Sequence, residues 1–114
     1  MIRKFVIALV FVATASLGSV SAEDTPRGLW IKLKCALCHG EDGASSTPTG
    51  KKVGAPDLRS AEVQDLDDKT LAKRVREGYG TMPAFKRQLK SSDVKLLVYY
   101  IRELREDEDD GAKQ

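Results

Sequence analysis

Cys35-Ala36-Leu37-Cys38-His39 puts two thiols and an imidazole into one short run. Three chemistries use such a set. A Cys-x-x-Cys dithiol can cycle with its disulfide, but that use normally follows a strand in a βαβ setting, and no convincing strand pattern occurs here. A zinc site needs four ligands, and the chain holds only 2 Cys and 1 His. The third chemistry is covalent attachment of a c-type haem, for which Cys-x-x-Cys-His is the expected spacing. Two thiols must reach two vinyl groups on adjacent edges of the macrocycle and form thioethers. The next residue must then set an imidazole nitrogen over the iron. Every Cys and His of the chain is used by this reading, so none is left over.

A six-coordinate iron hardly changes geometry with oxidation state, which suits electron transfer, so a second axial donor is expected. Met, Lys, Tyr and water are the candidates. Apart from Met1, Met82 is the only methionine. It lies in a loop next to Pro83, not on an apolar helix face where methionine acts as a core filler. Paired with an imidazole, a thioether favours ferrous iron and raises the reduction potential. Phe85 reads as pocket lining. Tyr79 either hydrogen-bonds a haem propionate or covers the loop. Trp30 either touches the haem edge or packs between helices as core. Lys86, Arg87 and Lys90 follow the Met82 loop; they form either a docking patch for an acidic partner or ordinary solvated surface.

These residues must be positioned by a small exported domain. The chain has 114 residues, enough for one domain. Residues 1–22 read as a cleaved secretory signal peptide. Arg3 and Lys4 precede a diluted apolar stretch from Phe5 to Leu17, and Val20-Ser21-Ala22 supplies the small residues of a cleavage site. That stretch is shorter than the ~20 residues that span a bilayer. Residues 23–105 form the domain, and residues 106–114 a flexible acidic and polar tail. The net charge of +2 resides in the signal, and the neutral balance after cleavage argues against nucleic acid as a partner. A domain of this size buries a limited core and often needs a staple. Two cysteines this close make a poor structural cross-link. A bound cofactor serves better.

Helices are expected at about 26–38, 68–77 and 93–105. Thr25-Pro26 marks the first start, Asp67 caps the second, and Ser91 or Ser92 caps the third. Gly78-Tyr79-Gly80 ends the second. Val94, Leu97, Val98, Ile101 and Leu104 form one buried stripe on the third. The Gly-, Pro-, Ser- and Thr-rich segment 40–58 and residues 81–90 read as long loops. The fold class is therefore all-α: three main helices wrapping one haem between long loops.

Across about residues 25–105 the chain resembles a class I monohaem cytochrome c. The resemblance rests on Cys35 to Gly40 and on Thr81-Met82-Pro83-Ala84-Phe85, with Gly54-Ala55-Pro56-Asp57-Leu58 and Tyr100-Ile101-Arg102 in support. It implies a cytochrome c-like fold with His39 and Met82 on the iron. It also implies that the Pro56 carbonyl accepts a hydrogen bond from the other ring nitrogen of His39. An aromatic residue of the last helix should pack across the first. One departure stands out. The family often has Gly eight residues before the first Cys and an aromatic four before it, where this chain has Arg27 and Ile31; Gly28 and Trp30 each lie one residue off. The expected function is one-electron carriage by a soluble monomer between exported or membrane-bound redox proteins, with periplasm as the first compartment and no substrate transformed. Two rivals are an enzyme or gas sensor with an open sixth position and a non-haem thiol module.

Overall fold

The computed structural model describes residues 13–112, with side-chain environments for residues 13–105. The expected signal falls partly outside the described residues. Its described part, residues 13–21, runs exposed without regular structure. Among the described residues no helix is long and apolar enough to cross a membrane.

Helix α1 spans Pro26–Lys32. The Thr25 hydroxyl accepts from the Gly28 amide at 3.0 Å, and Pro26 supplies a preset φ where its missing N–H costs nothing. The sequence expectation of one helix over 26–38 needs correction. The chain breaks at Leu33 and Lys34, where Lys34 turns left-handed at φ 60 and ψ 26. Helix α2 then restarts at Cys35–His39.

The expected loop 40–58 also needs correction, because it contains helix α3, Pro48–Val53. Thr47 caps α3 as Thr25 caps α1: its hydroxyl accepts from the Gly50 amide at 3.0 Å and lies 2.7 Å from the Leu37 carbonyl. This threonine therefore fastens α3 to α2. Gly50 lets the two come close, since a Cβ there would stand 2.1 Å from the Cys38 carbonyl oxygen.

A short helix α4, Ala61–Gln64, precedes α5, Asp68–Glu77, which starts and ends as expected. The Asp67 carboxylate caps α5 by accepting from the Thr70 amide at 2.7 Å. Gly78 ends it at φ 79. Helix α6 runs Ser91–Ala112, so the expected tail from residue 106 continues the helix as backbone through Ala112.

The core is a layer of α1 and α5 laid against α6. Leu29 and Trp30 of α1, Leu71 and Val75 of α5, and Val94, Leu97, Val98, Ile101 and Leu104 of α6 are all buried. Trp30 is 2 % exposed and its ring meets Tyr100 of α6 at 5.0 Å between centroids. The neighbouring Ile31 faces outward. Trp30, one residue earlier than the family aromatic, thus makes the contact between the first and last helices. Behind it, the buried Gln64 amide donates to the carbonyls of Leu58 and Ile101 at 2.7 and 2.9 Å. Arg102 donates to the Gln64 carbonyl at 2.7 Å and to Asp68 at 2.8 Å, tying α6 to the start of α5. Among the described residues the architecture is helical, with one isolated bridge, Tyr79 to Met82, and no strand.

Candidate functional site

One cavity of about 840 Å³ opens between α2 and the segment after α5. Cys35, Cys38, His39, Pro56, Tyr79, Met82 and Phe85 all line it. Cys35, Cys38 and His39 come from α2; Met82 and Phe85 come from the opposite wall, some forty residues on.

On the α2 side, Gly40 closes the helix and the loop folds back under it. The Ser45 amide donates to the His39 carbonyl at 2.9 Å. The Ser45 hydroxyl lies 3.4 Å from His39 Nδ1 and donates to the Pro56 carbonyl. Pro56 thus lies at the cavity wall, but its carbonyl meets the serine hydroxyl and not the imidazole. The contact that the resemblance implied is reached through Ser45. Trp30 braces the other side: its indole ring lies 5.8 Å from the imidazole between centroids, and its N–H donates to the Gly40 carbonyl at 3.0 Å. Trp30 is absent from the cavity lining and belongs to the core.

On the far side, Met82 is fixed by its backbone. The Met82 amide donates to the Tyr79 carbonyl at 3.0 Å and the Tyr79 amide to the Met82 carbonyl at 3.2 Å. Gly78 makes room for this closure, because a Cβ there would stand 2.6 Å from the Met82 carbonyl oxygen. The chain after Met82 is then tied to the end of α5 by the Phe85 amide, which donates to the Val75 carbonyl at 3.2 Å. Tyr79 itself is 63 % exposed, with the Arg74 guanidinium 3.9 Å above its ring. A cation over an aromatic face is attractive, and it holds both side chains at the cavity rim.

Burial holds the His39 imidazole below its ordinary pKa of 6.5, which favours the neutral form that binds metals. Burial also pushes the Cys35 thiol up to about 11, with the neighbouring Cys38 adding to the rise and a backbone hydrogen bond opposing it. At neutral pH that sulfur is a thiol rather than a thiolate.

The residues fit a haem. The cavity is mainly walled by apolar groups, and its size lies in the range of cofactor pockets, roughly 300–1,000 Å³. Leu37, at the cavity, is 57 % exposed in the protein alone, as is part of Val53, so both present apolar surface that a flat apolar ring would cover. Two thiols would add to the vinyl groups of such a ring, and an imidazole and a thioether are one of the donor pairs that hold its iron. Among the described residues no three His, Cys, Asp or Glu side chains are grouped to hold a bare metal ion. The sequence reading missed Ser45. It follows His39 by six residues in a segment without periodicity, and nothing in its surroundings marks it.

Comparison with known proteins places these features among relatives. Residues 21–101 match the family model described as cytochrome C oxidase, cbb3-type, subunit III. A cbb3-type cytochrome c oxidase subunit CcoP of Azospirillum brasilense is 36% identical over 72 residues, covering 61% of this chain and 24% of the relative. The CcoP subunit of Cereibacter sphaeroides is 35% identical over 72 residues, covering 61% of this chain and 23% of its own length. The chain therefore spans about a quarter of the length of these curated relatives. Among solved structures, the KustC0563 c-type cytochrome superposes with a TM-score of 0.65 at 31% identity, covering 71% of this chain and 98% of that one.

Proposed function

The chain belongs to the cytochrome C oxidase, cbb3-type, subunit III family of c-type cytochromes, and on that premise we propose that it holds one haem c and passes single electrons between redox proteins. The observation that carries this reading is the convergence of Cys35, Cys38, His39 and Met82 on one cavity. When bound, the haem supplies a one-electron iron couple. Cys35 and Cys38 would hold it by thioethers, and His39 and Met82 would bind the iron. The other residues set its surroundings. Phe85 and Val53 would give the haem apolar wall, and the Tyr79–Met82 pairing keeps the Met82 backbone at the cavity. Lys86, Arg87 and Lys90 are exposed in the segment that follows Met82, and such a positive patch would speed encounter with an acidic redox protein. No substrate is transformed in this reading.

The chain is proposed to work after export, as a periplasmic carrier freed from residues 1–22. A second reading is that it serves as an electron-transfer module within a respiratory complex, which the names of the CcoP relatives favour. The test is to purify the protein from its native host and stain for haem after denaturing electrophoresis, since only covalent haem survives. A stained band in the soluble exported fraction supports the free carrier. A stained band that leaves the membranes only with partner subunits supports the module. A colourless protein with two titratable thiols overturns both.

A further inference from the structure

Ser45 is buried, 6 % exposed, and sits at φ 58, a left-handed conformation that a residue with a side chain seldom adopts. Its hydroxyl occupies the gap between His39 Nδ1, at 3.4 Å, and the Pro56 carbonyl. A carbonyl has no proton to give, so the hydroxyl proton goes to Pro56. The serine oxygen then turns a lone pair towards the imidazole. For the 3.4 Å contact to be a hydrogen bond, Nδ1 carries the ring proton, which leaves the lone pair on Nε2. On these contacts, resting on the haem reading above, we infer that Ser45 is the positioning residue of His39. It relays the imidazole's hydrogen bond to the Pro56 carbonyl and thereby selects the tautomer that binds iron through Nε2.

The relay has an electronic consequence. An acceptor at Nδ1–H makes the imidazole a stronger donor at its other nitrogen. A hydroxyl already committed as donor to a carbonyl is polarised into a better acceptor. The relay thus favours ferric iron. Removing it weakens that donation and raises the reduction potential.

Ser45→Gly separates this role from a merely structural one. Glycine adopts the left-handed conformation readily, so the backbone is relieved while the hydroxyl is lost. Ser45→Ala removes the same hydroxyl but keeps a Cβ. His39 is the only histidine, so histidine labelled with ¹⁵N in the haem-loaded protein reports one Nδ1–H. In the wild type that proton is expected to exchange slowly with water. In both variants it exchanges at least tenfold faster. The equilibrium with a fixed redox mediator shifts at least threefold towards the reduced protein, about 28 mV at ~59 mV per decade for one electron. The thermal midpoint of Ser45→Gly does not fall. Wild-type exchange and potential in a folded, haem-loaded Ser45→Gly overturn the inference, as does a change confined to Ser45→Ala. A wild-type protein without covalent haem overturns the underlying reading and this inference with it, and the staining distinguishes that case from the others.

Discussion

Met82 is held by its backbone: its amide and carbonyl both pair with Tyr79, while its side chain is only half-buried at the cavity. Met82→Ala should leave that pairing in place and remove only the thioether. The expected outcome is a lower reduction potential and ready binding of carbon monoxide by the reduced protein, read by redox titration and absorption spectroscopy. Unchanged spectra would take Met82 out of the ligand set. Asp57, beside Pro56, offers a test by pH. Its carboxylate takes hydrogen bonds from the Arg59 amide at 2.9 Å and from Nε and Nη2 at 3.0 Å, which holds it below its ordinary pKa of 3.8. A lowered folded pKa stabilises above the unfolded pKa, and that stabilisation is lost as pH falls through the folded value. The stability gap between wild type and Asp57→Asn should be full above about pH 5 and should close below 3.8. Denaturation midpoints across that range check it. The residue scale was the most legible in the sequence. Cys35, Cys38 and His39 stand together by local spacing, and Met82, singled out because Met1 is the only other methionine, lines the same cavity. Ser45 was illegible because its role depends on a left-handed backbone and on a carbonyl eleven residues away, neither of which residue type encodes.

At the scale of elements, the crossing of α1 and α6 depends on Trp30. Its ring fills the space between Tyr100 and His39, and its N–H satisfies the Gly40 carbonyl that ends α2. Trp30→Ala should cost about 3–5 kcal/mol. Trp30→Phe keeps most of the ring and loses the hydrogen bond, for about 1–3 kcal/mol. Both are measurable by chemical denaturation of the haem-loaded protein, and equal losses would mean that the hydrogen bond dominates. The helices that periodicity predicted, α5 and α6, bury a stripe against a partner and so carry an apolar repeat. Helix α3 lacks one. Thr47-Pro48 is the same start signal as Thr25-Pro26, but Gly50, Lys51 and Lys52 show no apolar face, and the segment reads as loop. Contact with α2 through Thr47 and Gly50 holds it, and that is tertiary information. The break at Lys34 was hidden for a related reason: lysine is a good helix former, and nothing local demands φ 60 there.

For the molecule as a whole, the layer of α1, α5 and α6 is a real but small core, while α2, α3 and the Met82 segment face one another across the cavity. Domains have only about 5–15 kcal/mol of net stability, so a group bound only by the folded state is a large fraction of it. Cys35→Ala with Cys38→Ala should abolish covalent haem and remove the cooperative thermal transition, followed by circular dichroism. A cooperative melt in that colourless variant would show the protein core to be sufficient alone. The left-handed joint at Lys34 also bears on how such domains can diverge. An inserted or deleted residue there would fall between two helices and leave the spacing of both sulfurs from the imidazole within α2 unchanged. The gap from core aromatic to first cysteine crosses a non-helical joint, whereas the gap from first cysteine to histidine lies within one short helix.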